Sequence, residues 1–211
     1  MRYEGIIFDL DGVIVSTDHY HYLAWKELAD EYNIHFNEEI NQRLRGVSRM
    51  ESLDIILEKS SKSFSIKEKF EMADKKNKIY QEYLKQMSRK DISSEVKETL
   101  DILRENNIKI AIGSSSKNTK LILNQIGLDG FFDAISDGTM IEYSKPHPEV
   151  FIKAAELLEI DCKKCLVVED AEAGCISAKS ASMDVAGISA ARDCKYADYS
   201  LGSFSDLISI I

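Results

Sequence analysis

Only two prolines occur in this 211-residue chain, and both lie in one hexapeptide, SKPHPE, at residues 144–149. No internal repeat or low-complexity tract accompanies them, so nothing marks a solenoid or a Pro-rich linker. Long apolar runs are also missing. None approaches the roughly 18 residues of a membrane span, and the N-terminal MRYEGIIFDL carries too short an apolar run for a signal peptide. A cytoplasmic protein is expected. Basic residues are outnumbered, 27 Lys and Arg against 36 Asp and Glu, for a net charge of −9. Such a surface repels polyanions and anionic lipid, which excludes nucleic acid and membranes as partners but leaves room for a locally basic pocket that takes a small anion. Cysteine is limited to Cys162, Cys165, Cys175 and Cys194. The CKKC spacing matches zinc and redox sites. A redox pair normally opens a helix, however, whereas Cys165 leads into the apolar run CLVVED, and no second close ligand pair is evident for zinc. Reduced structural thiols are the expectation.

What is present is the composition of a soluble globular protein, 44% hydrophobic and 30% charged, long enough for one large domain or a core with a modest second one. Short Ile- and Val-rich runs at 5–10, 108–115, 133–137, 165–170 and 184–189 read as strands covered on both faces. Helical patterns at 95–106, 117–126, 148–159 and 171–181 alternate with them. The expected fold class is therefore α/β, a doubly wound parallel sheet. The alternation breaks after the first strand. There Tyr22, Trp25, Leu28, Ala29 and Tyr32 share one helical face, and further helices are expected near 37–44, 48–60 and 65–87. The predicted layout is a core of residues 1–16 plus 93–211, with a helical domain, 17–92, inserted into it.

In such sheets ligands bind beyond the carboxyl ends of the strands, and polar motifs collect there. Asp9 and Asp11 end the first run and would project the same way if the strand persisted. Glu169 and Asp170 end the fourth. Like charges so close repel unless a cation or proton intervenes, and hard oxygen ligands favour Mg²⁺ over zinc. A carboxylate beside a divalent cation, with no thiol or Ser–His partner, suggests a nucleophile for a phosphoryl group; a turn or helix cap is the plainer reading of the same acids. The run Gly113-Ser114-Ser115-Ser116-Lys117-Asn118 offers hydroxyls and backbone N–H groups for an anion, or merely caps the following helix. Lys145, held on the Pro-flanked loop, could neutralise both the acids and an incoming phosphate, or be a surface charge. A cis Lys145-Pro146 bond would aim it at the site.

Taken in order, DLDG after an apolar strand, serine at the second strand end, a lysine, and an acidic pair after the fourth strand resemble the haloacid dehalogenase-like superfamily of phosphoryl-transfer enzymes. The helical insertion resembles that family's cap domain, and the segments YHYLAWKELA, RGVSR and KKNKIY within it resemble the family's sugar-phosphate mutases. This resemblance implies a monomeric enzyme that acts on small-molecule sugar phosphates. It implies Asp9 as nucleophile and Asp11 as general acid and base. Mg²⁺ would lie between Asp9, the Asp11 backbone carbonyl, Glu169 and Asp170. Ser114, Ser115 and Lys145 would bind the phosphoryl group in transfer. Arg49, with Gly46, Val47 and Ser48 beside it, and Ser116, Lys117 and Asn118 would hold a second phosphate, which suits the planar fork of arginine. His21, Trp25 and Lys76 would complete the substrate site from the cap, His21 and Lys76 by positioning Asp11. The implied reaction takes β-glucose 1-phosphate to glucose 6-phosphate through the 1,6-bisphosphate, with cap opening to let the intermediate turn and closure to exclude water.

The resemblance has departures. Arg45 stands in place of a lysine, Ser115 in place of an alanine, Ser93-Ser94 in place of a Pro-Gly turn, and His147 is new. None removes a catalytic group. A phosphatase of the same superfamily would share the nucleophile and metal site, with water ending the reaction. A non-enzymatic protein on the same fold would be expected to lack one of the acids, and none is missing.

Overall fold

The computed structural model describes residues 2–44 and 47–211. Two compact units make up the chain: residues 1–16 with 88–211, and residues 17–87. The return to the first unit falls five residues earlier than the sequence suggested. Just past that point the Arg89 side chain lies against Gly127 of the larger unit.

The larger unit is a six-stranded, all-parallel sheet of β1 (Gly5–Phe8), β2 (Lys109–Gly113), β3 (Ala134–Ser136), β4 (Cys165–Glu169), β5 (Asp184–Gly187) and β6 (Tyr199–Ser200). Its order is β3-β2-β1-β4-β5-β6, the doubly wound arrangement in which the chain changes direction between β1 and β4. The four central strands are the apolar runs anticipated from the sequence, and Ile6, Ile7, Phe8, Val167 and Val168 are wholly buried. β6 escaped the sequence reading because it is two residues long and carries no apolar run; its register comes from Tyr199 pairing with Ala186. Helices α5 (Ser94–Glu105), α6 (Thr119–Gln125), α7 (Glu149–Leu158) and α8 (Glu172–Ser180) cover the sheet. On one face Val150, Phe151, Ala154 and Leu158 of α7 pack with Cys175 and Ala178 of α8 against Ile7 and Val167.

The smaller unit contains α1 (Asp18–Glu31), α2 (Glu38–Gln42), α3 (Arg49–Leu57) and α4 (Ile66–Leu84). Three of the chain's helices start at a serine. Ser48 and Ser65 each form a capping box with the glutamate three residues on, and Ser93 caps α5. Trp25, Leu28, Ala29, Leu53, Ile56, Met72 and Ala73 form this unit's own core. No helix among the described residues is long and apolar enough to cross a membrane. The four cysteines are free thiols. CKKC forms a 3-10 turn entering β4, and burial pushes the Cys165 thiol up to about 12, which suits a structural role.

Candidate active site

Register decides which acids meet. Phe8 of β1 pairs with Val168 of β4, so the residues that follow, Asp9 and Glu169, stand level on neighbouring strands, where spacing is roughly 4.8 Å. The Asp9 amide still donates to Val168 O at 3.0 Å. The strand does not persist to Asp11, so alternation is not what brings the acids together. Instead the chain turns: Gly12 N donates to Val15 O at 2.9 Å and Ile14 N to Leu10 O at 3.0 Å. Gly12 takes φ +85°, and a Cβ there would strike the Asp170 carboxylate. Asp170 therefore lies against the turn that carries Asp11.

Lys145 holds this cluster together. Its ammonium donates to Asp9 Oδ1 and to Glu169 Oε1, both at 2.5 Å, with side-chain exposures of only 11% for Lys145, 12% for Asp9 and 2% for Glu169. It also lies 4.6 Å from the centre of the Phe151 ring. Burial opposes its charge, but Asp9 and Glu169 outweigh burial and hold Lys145 above the ordinary lysine range. The Lys145-Pro146 peptide is cis. Glu169 uses its other oxygen, Oε2, to accept from the amides of Asp170 and Ala171 at 3.0 and 3.1 Å. A side chain at position 174 would collide with that carboxylate, so Gly174 is what lets α8 pass it. Burial raises the Glu169 carboxyl and Lys145 counteracts it. Asp170 is raised to about 8, by burial first and then by the charges of Asp9, Glu169 and Asp11. Two carboxylates, Asp9 and Glu169, thus share one ammonium, and their charges act with that of Asp11 on Asp170, a concentration of acid that suits a hard divalent cation. Among the described residues, no three acidic, histidine or cysteine side chains converge as a ready-made metal site, and Glu169 is occupied with Lys145 and backbone amides.

Ser114 follows β2 and is buried. Its hydroxyl accepts from Ser116 N at 3.2 Å, and Ser116 Oγ accepts from Asn118 N at 3.2 Å. These two serine turns shape the loop themselves. The helix beyond is shorter than expected, Thr119–Gln125, and Asn118 makes no side-chain cap on it. Asn118 is buried and Lys117 exposed. Ser115 Oγ accepts the backbone N–H of Lys145 at 3.3 Å, joining the serine loop to the lysine loop.

The remaining expected residues lie in the helical unit. Lys76 lies in the charged segment ADKKNKIY, yet it is 2% exposed. Its place in the series Met72, Ala73, Lys76, Tyr80, Leu84 explains this, because that spacing forms the buried stripe of α4. Lys76 Nζ lies 2.7 Å from His21 Nδ1. An ammonium only donates, so Nδ1 accepts and the neutral ring carries its proton on Nε2. Burial, then the charges of Lys76 and Arg49, hold His21 well below the usual histidine range. Tyr80, which the sequence reading missed, stacks on His21 with centroids 4.1 Å apart and donates to Thr17 Oγ1 at 2.9 Å. Trp25 is a core residue of this unit, with Lys76 Nζ 4.8 Å from its ring centre. Arg49 opens α3 and donates to Asn77 Oδ1 at 3.0 Å. Ser48 spends its hydroxyl on the capping box, and Val47 is exposed. Gly46 and Arg45 lie outside the described residues.

Residues 6–188 match the family model described as haloacid dehalogenase-like hydrolase. The chain is 38% identical over 206 residues to a β-phosphoglucomutase of Bacillus subtilis, covering 97% of this chain and 91% of the relative. A crystal structure of β-phosphoglucomutase from Clostridium difficile is 40% identical, with a TM-score of 0.86 over 97% of this chain and 93% of that one. A phosphorylated carbohydrates phosphatase of Thermotoga maritima is 28% identical over 188 residues, 86% of this chain and 82% of the relative.

Proposed function

Because the chain belongs to the haloacid dehalogenase-like hydrolase family, we propose that it is an isomerase converting β-glucose 1-phosphate to glucose 6-phosphate. The observation that carries this reading over a phosphatase is near-full-length identity of 38% and 40% to two β-phosphoglucomutases, against 28% to the phosphatase. In this reading it acts as a monomeric cytoplasmic enzyme on small-molecule sugar phosphates.

In this reading an Asp9 oxygen attacks phosphorus of the bisphosphate, and the bond from phosphorus to the sugar oxygen breaks. Asp11 gives its proton to that leaving oxygen and later takes the proton of the hydroxyl that attacks the aspartyl phosphate. Lys145 is already at the attacking carboxylate and offsets the charge of the transferring group, together with Ser114 and the Ser115 backbone. Arg49, with Gly46, Val47 and Ser48, and Ser116, Lys117 and Asn118 are the candidates for the phosphate not in transfer. Lys76 fixes His21 as a neutral Nε2–H donor, the state needed to steer a carboxylate such as Asp11. Trp25 contributes by holding Lys76.

Mg²⁺ would be held by Asp9, the Asp11 carbonyl and Asp170, with Glu169 joining if it leaves Lys145. Bound there it would spread the charge of the phosphoryl oxygens and fix their orientation. The test is to supply β-glucose 1-phosphate with a trace of its 1,6-bisphosphate and Mg²⁺. Glucose 6-phosphate should accumulate without inorganic phosphate. Stoichiometric phosphate release would establish the phosphatase instead.

A further inference from the structure

Residues 137–148, which carry Lys145, contain neither helix nor strand, yet Lys145 has to sit between two buried carboxylates. Something other than secondary structure must hold this loop. The contacts that do so come from side chains on both sides of it. Glu149, first residue of α7, accepts the backbone N–H of Glu142 with Oε1 at 3.0 Å and Oε2 at 3.1 Å, and that of Tyr143 with Oε2 at 2.8 Å. Ser115 Oγ accepts the N–H of Lys145 itself at 3.3 Å. Ser177 Oγ, from α8, donates to His147 O at 2.8 Å. A glutamate in the first turn of a helix ordinarily serves that helix's own N–H groups or its dipole. Glu149 instead turns both oxygens to the loop. The two backbone bonds, Tyr143 first and then Glu142, hold its carboxyl below the ordinary glutamate range.

We infer that Glu149 is a positioning residue for Lys145: its carboxylate clamps the backbone at 142–143, Ser115 pins the backbone at 145, and together they set the lysine ammonium between Asp9 and Glu169. This rests on the reading of Lys145 as the lysine of the phosphoryl site. It also gives the hydroxyl of Ser115 a task separate from phosphate binding. The clamp acts through backbone placement and touches neither substrate nor metal. Its loss should therefore lower kcat and leave substrate affinity in place.

The test combines trace acetylation of the full chain with acetic anhydride, read lysine by lysine by mass spectrometry, and steady-state kinetics. In Glu149→Ala the label on Lys145 should rise about tenfold as the loop opens locally, while Lys164, whose partner is Glu4, labels as before. Turnover of β-glucose 1-phosphate should fall on the order of tenfold to a hundredfold, because misplacing a charge by about 1 Å is that costly, with KM within about twofold. Glu149→Gln keeps one acceptor oxygen and should lie between wild type and Ala in both readouts. It also serves if the Ala variant fails to fold. Unchanged labelling of Lys145 in whichever of these variants folds would overturn the clamp, as would altered labelling with kcat unchanged. If the wild-type chain does not isomerise the substrate, the proposed reaction fails, and labelling alone decides the clamp.

Discussion

Lys145 Nζ and Asp9 Oδ1 are 2.5 Å apart in a site where neither side chain is more than 12% exposed. The same ammonium reaches Glu169, so one lysine offsets two buried carboxylates that strand register forces side by side. Removing it should be costly. In Lys145→Met, stability at pH 8 without divalent cation should fall by about 3 kcal/mol, the usual consequence of leaving a buried charge unpaired. At lower pH Glu169 can take up a proton instead, so the loss should shrink. Urea denaturation at pH 6 and pH 8 checks this, and equal stability of variant and wild type at pH 8 would count against a structural role for the pair.

Asp170, as a proposed Mg²⁺ ligand, should tie metal affinity to pH. Burial and the charges of Asp9, Glu169 and Asp11 raise its carboxyl from 3.8 to about 8. In the metal-free fold it holds a proton that the unfolded chain has already released above about pH 4. Its contribution to stability is therefore complete below the unfolded value and is lost as pH rises toward 8. A cation must displace that proton. Apparent Mg²⁺ affinity should rise about tenfold per pH unit up to roughly pH 8 and then level off. Calorimetric titration between pH 6 and 9, in buffers of different ionisation enthalpy, measures both affinity and proton release. A flat affinity over pH 6–8 would sink the assignment of Asp170 as a ligand.

Asp9 and Asp11 should separate by substitution. Asp9→Ala should abolish turnover and aspartyl phosphate formation. Asp11→Asn should lose on the order of a hundredfold or more of activity, as expected when a general acid is removed, while Mg²⁺ still binds through the retained backbone carbonyl. Turnover near wild type in Asp11→Asn would show that another group moves the proton.

His21 provides a readout confined to the helical unit. Burial, Lys76 and Arg49 depress its pKa. Stability linked to it is therefore present above the unfolded value of about 6.5 and is lost as pH falls toward the folded one. Nitrogen-15 NMR should find a neutral Nε2–H ring at pH 6. Lys76→Met removes a positive neighbour and should move the titration upward. A wild-type ring that titrates at the ordinary histidine value would contradict the Lys76 contact.

Gly12→Ala tests the turn. The position combines φ +85° with direct approach to the Asp170 carboxylate. Backbone strain of about 1–3 kcal/mol is expected, and Asp170 must shift as well. Weaker Mg²⁺ binding should therefore accompany the drop in thermal midpoint, and a variant with only the second effect would place Asp170 away from the metal.

Much of this was legible in the chain. Buried parallel strands declare themselves by their apolar runs, and DLDG, SSSKN and VVED are legible because each sits at a strand end, with SKP in the loop between β3 and α7. Short-range chemistry was legible for a similar reason, as in the serines of the loop after β2, whose partners lie within a few residues. Three matters needed the folded molecule. Asp9 and Glu169 are neighbours through register between strands 160 residues apart in sequence, whereas alternation within one strand, the available local argument, stops at Phe8. Lys76 was named for the site by resemblance, but only the packing of Trp25 and Tyr80 beside it shows it as a buried group. The placement of Lys145 depends on Glu149 and Ser115, acceptors from different elements. Sequence determines what each segment can do within its own few residues; tertiary structure decides which charges share a low-dielectric space, and that sharing is what sets their protonation and their chemistry.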